Sequence, residues 1–129
     1  MSFQTGYARV LGLGSAREGT HHWWQQRLTS IALLILTLPF VIPFARALGS
    51  SHDEVLQIYG NSGHALVAIL FIGVGFLHLR QGLQVVIEDY VHNRLMAMTL
   101  TILNILGCWG FGILGIYAIG RIALLASVT

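Results

Sequence analysis

Apolar and polar positions along this chain sort into three long apolar runs joined by short polar links. The first, "LTSIALLILTLPFVIPFARAL" (28–48), follows Arg27 and carries one charge, Arg46, near its far end. The second runs from about Ser62 to Ile87 and the third from about Leu95 to Leu125. Each is at least as long as the roughly 20 residues a helix needs to cross a bilayer. None alternates apolar and polar residues as a membrane barrel strand does, and a helix satisfies its own backbone in lipid without a neighbour. The pattern predicts an all-α membrane protein with three transmembrane helices, about 27–48, 62–88 and 95–125, in one membrane-anchor domain over 1–129.

The first 26 residues, "MSFQTGYARVLGLGSAREGTHHWWQQ", lack the continuous apolar core and small-residue cleavage site of a signal peptide. Glycines, arginines and the Trp23–Trp24 pair suit a segment lying at the membrane surface, where tryptophan prefers to sit. The link "GSSHDEVLQIYGN" is polar, with turn residues at both ends. The link "EDYVHNR" is short, so helices two and three are antiparallel neighbours. Arg9, Arg17, Arg27, Arg80 and Arg94 fall on or near the N-terminal side, whereas Arg46 and Arg121 lie near the other. The positive-inside rule then places the N-terminus in the cytoplasm, or in the matrix of an organelle.

Composition sharpens this picture. Only 9% of the 129 residues are charged, against about 25% in ordinary soluble domains. All seven basic residues are arginine, and a net charge of +2, thinly spread, gives no footprint for nucleic acid. Cys108 stands alone and inside an apolar run, which excludes an internal disulfide and fits a small buried hydrophobe. There is no cysteine cluster for iron–sulfur chemistry. "GLGSAREG" does not sit between a strand and a helix as a dinucleotide-binding loop would.

Within the second run, "HLRQGLQVVIEDY" (78–90) holds the residues with chemical potential. His78 lies nine residues before the end of that run, where an ionisable group is costly and suggests function. Imidazole is a common haem ligand; the plainer alternative is a histidine bonded to a neighbouring helix. At about 100° per residue, Gly75 and Gly82 share its side of the helix. They leave room either for a flat macrocycle or for close helix packing. His64, 14 residues earlier, shares roughly that face but opens the helix, which suits a structural role. Two stacked haems would need four intramembrane histidines, and this chain offers two. A second axial ligand would therefore come from another chain.

Glu88, Asp89 and Tyr90 close the helix at the membrane edge. They read as a solvated helix end with Tyr90 as an interfacial anchor. They read equally as a quinone contact, the phenol donating to a carbonyl and the carboxylate relaying protons. Acids at a helix C-terminus gain nothing from the macrodipole, which favours the second reading. Tyr90 lies 12 residues beyond His78, about 18 Å along the axis. Arg27 and Arg80 can snorkel to the interface or pair with buried anions such as haem propionates; of the two, Arg27 is the better propionate partner.

The segment 78–90, with glycine four residues and Asp-Tyr eleven and twelve residues after the histidine, resembles the hydrophobic membrane-anchor subunits of succinate dehydrogenase. "QRLTS" entering helix one and "DYVHNRL" entering helix three are similar too, so the likeness covers roughly residues 20–110. The resemblance implies an anchor of succinate:quinone oxidoreductase, respiratory complex II, in a bacterial or mitochondrial inner membrane. It implies partnership with the enzyme's cytochrome b subunit, an iron–sulfur subunit and a flavoprotein subunit. It implies one haem b shared with that cytochrome b subunit, and a ubiquinone site. His78 would be the axial ligand, Tyr90 the quinone contact, Asp89 its neighbour and Arg27 a residue near the propionates. Between histidine and Asp-Tyr the family is mostly apolar, and Arg80 departs from that. The rival readings are an anchor of a related quinone-linked enzyme, such as a fumarate reductase, and a non-redox three-helix scaffold. A haem absorption spectrum separates the redox readings from the scaffold.

Overall fold

The computed structural model describes residues 16–126, with side chains from Thr20 onward. Its elements are α1 (Ala16–Ala47), α2 (His52–Gly60), α3 (Ser62–Tyr90) and α4 (Arg94–Ala126), and no strand occurs among the described residues. Thr20–Ala47, Ser62–Tyr90 and Arg94–Ala126 are each long and apolar enough to cross a bilayer. The chain is an all-α, multi-pass membrane protein.

Two features differ from the sequence reading. The first helix begins at Ala16 and not near residue 27, so it carries the Trp23–Trp24 pair on its own turns. No proline interrupts it before Pro39, and polar residues do not prevent a helix from continuing. The surface placement expected for residues 1–15 lies outside the described residues. The polar link 49–61 is also not a plain loop, because it contains α2.

The caps explain the helix ends. Gly49, at φ +80°, takes the left-handed conformation that commonly closes a helix, just beyond α1. Ser51 opens α2 with a capping box: its backbone N–H donates to Glu54 Oε2 at 2.8 Å, and its hydroxyl accepts from Glu54 N at 3.4 Å. The Ser51 backbone N–H foremost, and the Ser51 side chain after it, hold the Glu54 carboxyl below its ordinary pKa. Because the folded pKa is depressed, the cap contributes fully above the ordinary carboxylate range and weakens as pH falls through the lowered pKa. Asn61 caps α3, accepting from Gly63 N at 3.0 Å and His64 N at 3.3 Å. Asn93 does the same for α4, from Leu95 N and Met96 N at 3.0 and 3.2 Å. The His64 ring donates from Nδ1 to Ile58 O at 3.0 Å and so ties α2 to α3.

α3 is the central helix. It packs against α1 on one side and α4 on the other, and the backbones of α1 and α4 do not approach each other closely among the described residues. The spans therefore stand in a row with two broad faces. Phe40 stacks on Phe71 at 4.0 Å between centroids, which joins α1 to α3 in the half nearer α2. Cys108, Gly112 and Gly115 turn toward α3. A Cβ on Gly112 would meet Phe76 at 3.4 Å, and one on Gly115 would meet Ile72 at 3.2 Å. These small residues let two backbones approach where lipid supplies no hydrophobic drive between helices. The contact lies within the chain, so Gly112→Leu should overpack α3 against α4 and cost about 1–3 kcal/mol. An SDS titration in detergent would register this as earlier unfolding; an unchanged midpoint would mean that the groove relaxes freely.

Candidate functional site

Polar side chains gather at the end of the row away from α2, on both sides of α3. On the α1 side the organising residue is Thr29. As a helical threonine it donates back to its preceding turn, with Gln25 O at 3.0 Å and Gln26 O at 3.1 Å as acceptors. Its Oγ1 also lies 2.9 Å from His78 Nδ1 and 3.4 Å from Gln81 Oε1. A hydroxyl has one proton to give and two lone pairs to offer. When the ring is protonated at Nδ1 and the hydroxyl proton stays with the helix carbonyls, Thr29 accepts from His78 Nδ1–H. In the neutral ring this leaves Nε2 with its lone pair free, as metal-binding histidines require when the other nitrogen is held. Gln81, buried beside this pair, donates to Gln25 Oε1 at a long 3.5 Å.

His78 forms one wall of a cleft of about 340 Å³ with Trp23, Gln26, Arg27 and Ser30. The Arg27 guanidinium sits over the Trp23 ring at 5.3 Å, a cation–π contact that holds the charge at the cleft mouth. Beside the histidine, a Cβ on Gly82 would meet nothing within 4 Å, and one on Gly75 would meet only Leu33 Cδ2 at 3.9 Å. Open space beside both glycines is what a planar group against His78 needs. Tight backbone packing, the alternative use of such glycines, is absent at these two positions. The donor set and the clearance fit a haem approached from this chain on one side.

Tyr90 and Asp89 stand at the last turn of α3, both exposed, about 18 Å along the axis from His78. Glu88 is engaged by Gln84 Nε2 at 2.6 Å, which leaves Asp89 as the acid of the pair next to the phenol. The structure thus brings Arg27 and His78 to one cleft and leaves Tyr90 and Asp89 at the helix end below it. Arg80 does not join them. It projects on the other side of α3, into a groove shared with Cys108, Trp109 and Gly112, so it cannot serve an anion bound beside His78. Asn104 marks that side: its Nδ2 donates to Arg80 O at 3.0 Å, and its Oδ1 accepts from Cys108 Sγ at 3.3 Å.

Thr29 and Gln81 were not singled out by sequence reasoning. The available signal was "RLTS", a hydroxyl pair just inside a span, but its partner lies 49 residues away in the chain.

A family model described as the succinate dehydrogenase/fumarate reductase transmembrane subunit matches residues 1–114. The succinate dehydrogenase hydrophobic membrane anchor subunit of Paracoccus denitrificans is 37% identical over 128 residues, covering 99% of this chain and 98% of the relative. The membrane anchor subunit of Reclinomonas americana is 33% identical over 89 residues, 67% of this chain and 74% of its own. The corresponding subunit of Rickettsia bellii is 32% identical over 101 residues, 78% and 80% of the two chains. No solved structure matched. With its three spans and its likeness along nearly the whole length to such anchors, the chain belongs to the succinate dehydrogenase/fumarate reductase transmembrane subunit family, as a membrane anchor.

Proposed function

We propose that this chain anchors a succinate:quinone oxidoreductase in a bacterial or mitochondrial inner membrane, supplies one axial ligand to haem b, and forms part of the ubiquinone site. The observation that carries this reading is the His78 cleft: an imidazole held at Nδ1 by Thr29, free at Nε2, with space beside Gly82 and a cation at the mouth. Haem b, when bound, supplies a one-electron carrier at this depth in the membrane. His78 would hold it through Nε2, with Thr29 fixing the ring's rotation. Arg27 faces the propionate edge, where its planar fork suits a carboxylate. A further ligand would come from the partner cytochrome b subunit. The iron–sulfur and flavoprotein subunits dock on the N-terminal side, which the arginine distribution places in the cytoplasm or matrix.

At the helix end Tyr90 donates its phenolic hydrogen to a ubiquinone carbonyl oxygen, which orients the ring and stabilises charge arriving there. Asp89, at the water boundary, passes a proton toward the same oxygen. Neither residue completes a pocket alone, since Tyr90 is 76% exposed in the isolated chain. The remaining walls come from partner subunits.

The deciding experiment is an absorption spectrum of the complex purified with its partner subunits. A reduced-minus-oxidised b-type band is expected, and a complex fully active with ubiquinone but without that band would leave His78 as a packing residue. Thr29→Val keeps the shape and deletes the hydroxyl, so it tests positioning. Haem affinity should fall on the order of tenfold, as when other outer-shell partners of metal ligands are lost, and the haem midpoint potential should shift. An unchanged potential together with unchanged haem content would mean that Thr29 does not orient the ligand.

A further inference from the structure

Among the described residues, Arg80 is the charged group on its side of α3 that the redox reading does not use. Its Nε is buried without a hydrogen-bond partner. Among the described acids, Asp53 and Glu54 lie at the opposite end, and Glu88 and Asp89 are eight and nine residues on, about 12 Å along the axis. A guanidinium N–H shut from water with no acceptor within the chain is costly, which points to an acceptor from outside it.

The depth of Arg80 limits what that acceptor is. Thr29 pairs with His78 and Gln25 with Gln81, so the Trp23–Trp24 pair lies level with about Gln84. Tryptophans mark the headgroup boundary, and Arg80 stands about one turn, roughly 6 Å, inside it. Its side chain reaches back to phosphate level from there. Toward the membrane middle the groove continues along the helix axes past Leu77 and Gly73 on α3, with Trp109, Gly112 and Ile116 of α4 on the opposite wall and no other charge. A cation at the headgroup end above an apolar trough is the polarity order of one amphiphile. A protein carboxylate at this depth would itself be expensive to bury and would leave the trough unfilled.

We propose that the groove between α3 and α4 binds one anionic phospholipid from the leaflet on the N-terminal side. Its phosphate rests on the Arg80 guanidinium, which suits paired phosphate oxygens. One acyl chain lies along Gly73, Leu77 and Trp109. The site faces away from the His78 cleft and does not depend on haem.

The test uses the complex purified with its partner subunits, exchanged into micelles doped with phosphatidylglycerol or phosphatidylcholine and read by native mass spectrometry. Wild type should keep one phosphatidylglycerol in preference to phosphatidylcholine. Arg80→Gln should lower that retention about tenfold, the scale of a charge-assisted hydrogen bond, and Arg80→Lys should recover part of it. Leu77→Trp leaves the cation in place but fills the trough, and it should also lower retention, with the absorption spectrum unchanged. Equal phosphatidylglycerol retention in wild type and Arg80→Gln would overturn the proposal. If Arg80→Gln fails to assemble, Leu77→Trp decides: lipid lost supports the site, whereas lipid retained means that Arg80 answers a carboxylate of another subunit.

Discussion

Replacing His78 by alanine is expected to strip the purified complex of low-spin b-type haem, with haem content falling at least about tenfold, since losses of 10- to 100-fold follow removal of mere outer-shell partners. The alanine removes the Nε2 lone pair outright, so the proposed haem would lose its ligand from this chain. It also leaves Thr29 Oγ1 without its ring partner at 2.9 Å, so some local loosening of α1 against α3 should accompany the loss. His64→Ala is the control. That ring is occupied with Ile58 O at the other end of α3, and its removal should unsettle α2 without touching the haem spectrum. A normal spectrum in the His78 variant would sink the ligand assignment. It would also strip the cleft of its proposed occupant.

The second large effect concerns Tyr90. Tyr90→Phe keeps the aromatic ring and deletes the hydroxyl, so assembly, haem and succinate oxidation by an artificial dye that draws electrons upstream should all persist. Ubiquinone reduction should fall. A lost hydrogen bond to a polarised carbonyl costs on the order of 1–3 kcal/mol, or roughly 5- to 150-fold if felt wholly in the transition state. Asp89→Asn should produce a milder loss, because water at the membrane edge can replace a proton relay more readily than an oriented donor. Equal ubiquinone rates in wild type and Tyr90→Phe would reduce Tyr90 to an interfacial anchor.

The three spans were legible because each exceeds the bilayer thickness in uninterrupted apolar residues, a property of the segment alone. His78 stood out for the same reason, since its cost depends only on depth. What the sequence did not reveal depended on contacts distant in the chain. The proton of Thr29 decides which nitrogen of His78 is free, and no local pattern links residues 29 and 78. Arg80 and His78 are two positions apart and look equivalent by depth; the placement of α1 and α4 on opposite sides of α3 sends them to different faces. α2 is a different kind of miss. Its Ser-x-x-Glu capping box was written in residues 51–54, but a short amphipathic turn between two spans reads as a polar link when its cap is not weighed.

Three helices in a row cannot wrap around themselves, and the few buried side chains, such as Tyr59, Ala65 and Cys108, do not amount to a self-sufficient interior. On the α1 face, moreover, a solitary copy would hold Ser30 and His78 against acyl chains that cannot solvate them. Such a molecule should insert but not persist, because proteases act on the fraction of time a chain spends unsettled. Its lifetime in the cell should therefore be borrowed from its companions: copies made in excess of the other subunits are cleared, and supply of the scarcer partner sets how much anchor the membrane keeps.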